Sequence, residues 1–544
     1  MKKKWEITNK TKSNASGSVE DILKILLENR GLTQKKLQND FFEPKLPQKI
    51  TLKNMALSSV QIKKAVQRLK VAKTKKEHVV VYGDYDADGI CATAILWETL
   101  HKLGYDTMPY IPDRFKEGYG INPESVQKLK KANKNLKLII TVDNGIVAYD
   151  AIKKAKELGI DVIVTDHHQI GKKKLNALAV VHSTVSSGSA VSWILAREIS
   201  KSVADSLDLV AIGTIADQMP LTGVSRSFVK HGLKVLNNTK RLGIRAIMRE
   251  SRIQKAGTFE VGFILAPRLN AAGRLTHAID SLRLLCTRNF YRANELSLSL
   301  GRVNGKRQKI VEEVLIKAEK SAKTNKDQII VISDKNYHEG VIGLAAGKIT
   351  GQYYRPSIVI SENGDIAKAS ARSIPGFNII KAIKQLDNLI IGGGGHPMAA
   401  GFSIIPGNIN KFRKEINEFA KTKLTKKILT PKLKIDMELQ FNQLNQELMD
   451  EMSKLDPFGT GNPQPVFVTK KVSVIEAKRV GAEKKHLKLK LGQGERVFDA
   501  IWFNPSIKGT LKPKSTVDVA YSLDENVYNG KTTLQLKVKD VKVG

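Results

Sequence analysis

Cysteine is almost absent from this 544-residue chain, with Cys91 and Cys286 its two thiols. Two thiols cannot build a disulfide framework, which excludes a small stapled secreted scaffold and leads us to expect a reducing compartment. Both read as small buried hydrophobes. No apolar run approaches the roughly 20 residues that a membrane-spanning helix requires. Met1-Lys2-Lys3-Lys4 resembles a signal n-region, but Trp5 to Ser18 is polar and no apolar core follows. The expectation is a cytoplasmic protein without a membrane segment. Aromatics are only 6% of residues. Acidic residues are outnumbered, 53 Asp and Glu against 90 Lys and Arg, for a net charge of +37. That balance suits a polyanionic partner, although runs such as Lys73-Thr74-Lys75-Lys76 and Lys172-Lys173-Lys174 equally serve as solvated surface. The length predicts three or four domains, each able to bury a core.

The few acids are concentrated where apolar segments stop. Val79-Val80-Val81-Tyr82-Gly83 runs into Asp84-Tyr85-Asp86-Ala87-Asp88-Gly89. Leu136 to Val142 ends in Asp143-Asn144-Gly145. Ile160 to Thr165 ends in Asp166-His167-His168. Leu207 to Ala216 ends in Asp217. Short apolar runs of this kind read as buried strands, and helix-like segments at Ile90 to Leu103 and Val147 to Leu158 separate the first three. Alternating strands and helices imply parallel strands with right-handed crossovers. In such sheets ligands bind beyond the carboxyl ends of the strands, so Asp84, Asp86, Asp88, Asp143, His167, His168 and Asp217 are expected to converge.

Carboxylates packed this closely repel one another unless cations neutralise them. Oxygen ligands with one or two imidazoles suit Mn²⁺ or Mg²⁺, and no thiolate cluster argues for structural zinc. The number of ligands exceeds one tetrahedral ion and fits two ions about 3.5–4 Å apart, the arrangement used to hydrolyse phosphate esters. The competing reading for each acid alone is a helix N-cap after a strand.

These four motifs, in this order, resemble those of the DHH phosphoesterase superfamily, which is named after Asp-His-His. Further segments resemble the RecJ family of single-strand-specific exonucleases within it. They are Arg30-Gly31-Leu32, Pro112-Asp113-Arg114 with Glu117-Gly118-Tyr119-Gly120, Leu265 to Leu275, Ala369-Ser370-Ala371-Arg372-Ser373, and Gly394-Gly395-His396-Pro397-Met398-Ala399-Ala400-Gly401. The resemblance covers roughly residues 20–540. It departs at Tyr337, where Trp is usual, at Ser225, where Asn is usual, and over His182 to Ala190, which leaves the loop bordering the site undefined.

The resemblance implies two α/β domains, the DHH domain and the DHH-associated domain, joined by a helical connector and followed by a C-terminal β-barrel of the OB-fold type. The expected divisions are an N-terminal helical region (1–76, with 1–18 frayed), the DHH domain (77–222), the connector (223–325, with Pro267 to Leu275 a loop and one or two helices over Ala293 to Thr324), the DHH-associated domain (326–425) and the barrel (430–544). Short alternating runs at Pro465 to Thr469, His486 to Leu491, Thr516 to Tyr521 and Thr532 to Val538 independently suggest a small barrel.

Gly392-Gly393-Gly394-Gly395-His396 would let backbone N–H groups approach an anion, or else form a flexible turn opening a helix. Ser370 and Arg372 share one side of an extended chain. The resemblance makes Arg114, Arg274, Ser370 and Arg372 the pocket for a 5′ phosphate, with Gly394, Gly395 and His396 as further substrate contacts. In the barrel, Phe458, Phe467, Phe498, Trp502, Phe503 and Tyr528 are the candidates to stack on bases, with Phe467 and Phe498 the more core-like. The implied activity is 5′→3′ exonuclease hydrolysis of single-stranded DNA to 5′ mononucleotides in recombination and repair. It would use two divalent cations, Mn²⁺ or Mg²⁺, in a monomer working beside a single-strand-binding protein and a helicase. Two alternatives stand beside it. A DHH phosphodiesterase of short oligonucleotides or cyclic dinucleotides would usually lack the N-terminal helices and barrel. A non-catalytic DNA-binding replication factor, like the DHH-derived subunit of the eukaryotic replicative helicase, would have lost the acids.

Overall fold

The computed structural model describes residues 3–8, 17–200, 204–324, 327–481, 483–505, 507, 509–528 and 531–543. It divides into two compact units, one of residues 39–309 with 457–462, the other of residues 1–38, 310–456 and 463–544. No described helix is long and apolar enough to cross a membrane.

The first unit is built on β1 (His78–Tyr82), which is buried along its whole length. There follow α1 (Ala87–Lys102), β2 (Thr107–Tyr110), α2 (Pro123–Ala132), β3 (Leu136–Val142), α3 (Tyr149–Glu157), β4 (Asp161–Asp166), β5 (Ala179–His182), α4 (Gly188–Ile199) and α5 (Leu207–Ala216). The sheet order is β2-β1-β3-β4-β5, all parallel. Both faces are covered, which is why the strands are continuous apolar runs. Val79 and Val81 pack with Ile90 of α1, Ile194 of α4 and Val210 of α5. Val80 and Tyr82 point the other way, to Val126 of α2 and Ile152 of α3. The chain leaves β1 in opposite directions toward β2 and β3, and Asp84 and Asp143 end the two strands flanking that switch point.

The segment read as a fourth strand, Leu207 to Ala216, is the helix α5, with Asp217 as its C-cap. Leu207 to Thr214 are all buried, so no polar face marks the helical period. Periodicity cannot separate such a segment from a strand, whereas its ten residues favour a helix. A second correction concerns Pro267 to Leu275, expected as a loop. It lies in the helix α6 (Ala266–Leu275), preceded by a π-turn at Val261–Leu265. Pro267 follows directly on that π-turn, inside a continuous helical run from Thr258 to Leu275, where its missing N–H removes one intrahelical bond. Ala293 to Thr324 belongs to a single helix, α7 (Phe290–Thr324), whose residues from Ile310 onward belong to the second unit.

In that unit β6 (Ile330–Asp334), β7 (Ser357–Ser361), β8 (Ala367–Arg372), β9 (Ile390–His396) and β10 (Ala399–Ile404) form a sheet in the order β9-β10-β8-β7-β6. The glycine run is thus not a turn opening a helix. It is an edge strand, held in antiparallel register on β10. The barrel comprises β11 (Phe467–Val480), β12 (His486–Gln493), β13 (Arg496–Trp502), β14 (Thr516–Tyr528) and β15 (Lys531–Val543). β11 pairs with both β12 and β14, closing five strands on themselves. Phe467 and Trp502 are buried and Phe498 is half-buried, whereas Phe503 is open to solvent. The side chain of Tyr528 lies outside the described residues, and Phe458 belongs with Pro457–Asn462 to the first unit.

The expected fraying of residues 1–18 fails at Lys4–Ile7, a strand pairing in parallel with Lys432–Ile435. Trp5 and Ile7 pack on Ile435, Val468 and Ala520, and Trp5 Nε1 donates to Asp540 at 2.8 Å. Two apolar side chains at alternate positions anchor a strand that composition alone marked as polar. Residues 1–2 and 9–16 of that stretch lie outside the described residues.

Candidate metal centre

The first three carboxylates are fixed by how β1 turns into α1. Asp86 caps α1, accepting from Asp88 N and Gly89 N at 3.0 Å each. A Cβ on Gly89 would lie 2.7 Å from Asp84 Cβ, so the glycine closing the motif lets the helix fold back onto the strand end. Asp88 is buried and accepts from the first N–H groups of α4, Gly188 N at 2.7 Å and Ser189 N at 3.0 Å. The segment 182–190, which sequence left undefined, therefore supplies a helix N-terminus that steadies an anion.

Asp143, after β3, has φ of +62°, a left-handed conformation that Asp tolerates better than most residues. Its Oδ1 lies 3.1 Å from His167 Nε2, which is also 3.6 Å from Asp217 Oδ2 and 4.0 Å from Asp88 Oδ2. Three overlapping sets have their donor atoms within 4.8 Å of one another: Asp84 with Asp86 and Asp143, Asp88 with His167 and Asp217, and Asp143 with His167 and His168. All seven residues singled out from sequence come together, with Asp217 delivered by a helix rather than a strand.

Sequence reasoning did not assign a role to Asp166. It is buried and accepts from Ile146 N, His167 N and His168 N, and its Oδ1 lies 2.8 Å from His168 Nδ1. A carboxylate on one imidazole nitrogen fixes the ring and leaves the other nitrogen for a metal. The motif Asp-His-His itself carried that signal. Asn270 of α6, which accepts from Ala87 N at 2.8 Å, had no such signal.

The electrostatics test whether this set fits cations. Asp84 Oδ1 is buried without a hydrogen-bond partner, and Asp143 Oδ1 likewise accepts no hydrogen bond. Burial, then neighbouring Asp86, pushes Asp84 well up, and burial with Asp88 does the same to Asp143. Burial also raises Asp88 against the pull of His167, and Asp217 is pushed up to about 8 by burial with Asp88 and Asp86. Burial pulls His168 down, but its bond to Asp166 outweighs this and holds it at about 9. Clustered buried acids with unpartnered oxygens are a set waiting for positive charge, and hard divalent cations match those oxygens.

A pH dependence follows. In the metal-free protein these acids hold protons that the unfolded chain releases near pH 4. Stability is therefore fully present at low pH and is lost as pH rises through the folded values, for Asp217 through about 8. His168 acts in the same direction, its contribution fading as pH rises through about 9. Metal takes the place of those protons. The melting temperature after chelation should therefore fall between about pH 6 and 8.5, while the increment from Mn²⁺ should grow over that range. Differential scanning fluorimetry reads both, and a Mn²⁺ increment independent of pH would contradict the assignment.

Of the expected phosphate contacts, Arg114 and Arg274 belong to the first unit. The Arg114 guanidinium lies 5.0 Å from the centre of the Tyr85 ring, and both arginines act electrostatically on the Tyr85 hydroxyl. The others belong to the second unit. Across its sheet Arg372 stands opposite Ala399, itself opposite His396, and Ser370 opposite Gly401, itself opposite Gly394. Those four therefore share one face, floored by small residues. Gly395 pairs with Ala400 in the alternate row and so falls on the other face. Arg372 Nη1 bonds to Ala371 O at 2.9 Å and lies 3.4 Å from Ser370 Oγ. A Cβ on Gly343, in the first turn of the helix Ile342–Tyr353, would lie 3.0 Å from Ser370 Oγ and 3.3 Å from Arg372 Nη2. A hydroxyl, a guanidinium and a helix N-terminus thus meet, with glycine keeping the space open. Gly343 was not foreseen, since an isolated glycine in a helical run carries no distinguishing pattern.

Residues 78–214 match the DHH family, N-terminal domain, residues 326–422 the DHHA1 domain and residues 435–540 the RecJ OB domain. Among curated proteins, the chain is 37% identical over 502 residues to the single-stranded-DNA-specific exonuclease RecJ of Bacillus subtilis, covering 89% of this chain and 63% of that protein. It thus spans slightly under two thirds of that relative's length. It is 32% identical over 521 residues to the protein of the same name from Haemophilus influenzae, covering 88% of this chain and 90% of that one. Among solved structures, RecJ in complex with Mn²⁺ from Thermus thermophilus superposes with a TM-score of 0.85 at 28% identity, over 99% of this chain and 80% of that one.

Proposed function

This chain belongs to the RecJ family of the DHH superfamily, and from that premise we propose that it is a metal-dependent exonuclease removing 5′ mononucleotides from single-stranded DNA. The observation that carries the reading is the convergence of Asp84, Asp86, Asp88, Asp143, His167, His168 and Asp217 with two buried carboxylate oxygens left without hydrogen bonds. Two divalent cations, Mn²⁺ or Mg²⁺, would be held there, supplying an activated water at neutral pH and charge stabilisation for the leaving oxygen. Asp143 and His167 each belong to two of the ligand sets, and of the two Asp143, with two carboxylate oxygens, would be the one able to serve both cations. Asp88 is held immobile by the α4 N-terminus, and His168 is oriented by Asp166.

Polarity would come from the end of the strand. Ser370 and Arg372 present a hydroxyl and a guanidinium beside a helix N-terminus, chemistry suited to a terminal phosphate. Arg114 and Arg274 add cationic charge beside Tyr85. His396 and Gly394, on the face of Ser370 and Arg372, are further substrate contacts, and Gly395 supports them through the backbone. The basic barrel, with exposed Phe503, is suited to the downstream strand. The setting is recombination and repair in the cytoplasm, with the chain acting as a monomer beside a single-strand-binding protein and a helicase.

The test is digestion of one oligonucleotide, 5′-labelled or 3′-labelled, with Mn²⁺ or Mg²⁺. Labelled mononucleotide should appear at once from the 5′ label and last from the 3′ label. Blunt duplex of the same sequence should be degraded at least about 10-fold more slowly, since paired bases must first be separated at a cost of about 1.4 kcal/mol per step. Equal rates on both, or release from the 3′ end, would refute the proposal.

A further inference from the structure

Tyr119 lies outside every ligand set, yet its hydroxyl is in the metal centre. It donates to the backbone carbonyl of Asp143 at 3.1 Å and lies 3.4 Å from both ring nitrogens of His168. Asp143 is the strained left-handed residue at the end of β3, and His168 already has Asp166 on Nδ1. One phenol thus touches two residues that belong to different strand ends and to the same ligand set.

The loop carrying it is held rigidly. Gly118 and Gly120 flank the tyrosine at φ of +79° and +70°. Tyr82 OH donates to Gly120 O at 3.2 Å, Ile121 N donates to Asn144 Oδ1 at 3.3 Å, and Asn122 Nδ2 donates to Glu117 O at 2.9 Å. The residue as a whole is 52% exposed.

The ring also has a second neighbour. It meets Tyr85 edge to face at 6.3 Å, and Tyr85 carries the Arg114 guanidinium on its face at 5.0 Å. Tyr85 stands between Asp84 and Asp86 in sequence, and its carbonyl oxygen would lie 2.7 Å from a Cβ on Gly273, so α6 packs directly against it. Arg114, Tyr85, Tyr119 and His168 therefore form one contiguous row of cation–π, edge-to-face and hydroxyl–imidazole contacts.

We propose that Tyr119 is a positioning residue which pins the Asp143 backbone through its hydroxyl, abuts the His168 ring and, through Tyr85, couples a phosphate held at Arg114 to the alignment of the metal ligands. The coupling rests on the end-recognition reading given above, whereas the pinning does not. A phosphate that draws Arg114 into a fixed position fixes the ring beneath it, and the row ends on a metal ligand. The terminal phosphate then raises kcat as well as lowering KM.

Tyr119→Phe keeps the ring and removes the hydroxyl. Isothermal calorimetric titration with Mn²⁺ should show its half-saturating concentration raised about 5- to 10-fold, near the lower end of the usual cost of losing an outer partner of a metal ligand. The metal-free melting temperature should stay within about 2 °C of wild type, as for a substitution that removes no buried packing. In kinetics on one oligonucleotide with a 5′ phosphate or a 5′ hydroxyl, the wild type should gain from the phosphate in both kcat and KM. The variant should keep the KM gain, because Arg114 is intact, and lose most of the kcat gain. A wild-type Mn²⁺ midpoint together with an unchanged kcat gain would overturn the proposal. If the wild type itself is indifferent to the phosphate, end recognition and the coupling both fall, and the Mn²⁺ midpoint alone decides the pinning.

Discussion

Asp143→Ala should lower hydrolysis of single-stranded DNA by more than about 10³-fold, the scale reached when a preorganised electrostatic contact to the reacting centre is removed. Chelation of the wild type should give the same loss. The reason is the position of this carboxylate, which joins the set formed with Asp84 and Asp86 to the set formed with His167 and His168. Deleting it weakens both. The fold should survive, because burial raises the Asp143 carboxyl and its Oδ1 accepts no hydrogen bond. What is lost is a group that the metal-free fold accommodates only at a cost. Against this stands the backbone. Asp143 adopts φ of +62°, and alanine is less tolerant of that region. Asp143→Asn separates the two effects, since asparagine accepts the same backbone conformation and removes only the charge. The two variants should be equally inactive, with the asparagine variant the more stable. Steady-state assays with thermal melts decide it, and turnover within about 10-fold of wild type in either variant would remove Asp143 from the centre.

The same residue shows how far sequence can lead. An apolar run that stops at a carboxylate is legible, because burial on both faces of a parallel sheet writes itself as uninterrupted Val, Ile and Leu. The segments ending at Asp84, Asp143 and Asp166 are strands for that reason. The segment ending at Asp217 is not, because a helix buried on every side writes the same continuous run, and α5 is such a helix. Asp217 nevertheless comes together with Asp88 and His167, since the last residue of a buried helix can reach the same edge as the end of a strand. The glycine run misled in the opposite way. Its exposed residues form an edge strand, yet successive glycines contain no alternation to announce one.

Supporting groups were less visible than ligands. Asp166 belongs to none of the metal-binding sets, but it holds His168 in place. The N-terminus of α4 was obscured because Gly188 and Ser189 act on Asp88 through backbone N–H groups, which carry no side-chain signature. Gly343 is defined only by what a larger residue would displace. The acids at the metal centre also weigh against the non-catalytic reading. A binding factor that had abandoned catalysis would have no need to keep buried carboxylate oxygens without hydrogen bonds, such as Asp84 Oδ1 and Asp143 Oδ1, because each destabilises the metal-free fold.

Arg372→Ala is the substitution expected to expose how the end of the strand is read. Burial pulls the Arg372 guanidinium down from its ordinary value, and no carboxylate among the described residues pairs with it. A partly buried cation held only by a carbonyl and a neighbouring hydroxyl is poised to accept an anion. A charge-assisted hydrogen bond to phosphate contributes about 1.5–3 kcal/mol, so kcat/KM on a 5′-phosphorylated strand should fall about 10- to 150-fold. On the same strand ending in a 5′ hydroxyl the fall should be several times smaller, because the deleted group has no partner there. The comparison is a double cycle in which protein and substrate are altered separately and together. An interaction shows as a combined loss smaller than the sum of the two single losses. If the two losses simply add, Arg372 does not touch the terminal phosphate. Direction would then have to arise elsewhere, either from His396 and the exposed glycine strand beside it or from Arg114 and Arg274 around Tyr85, and the same cycle applied to each would show which.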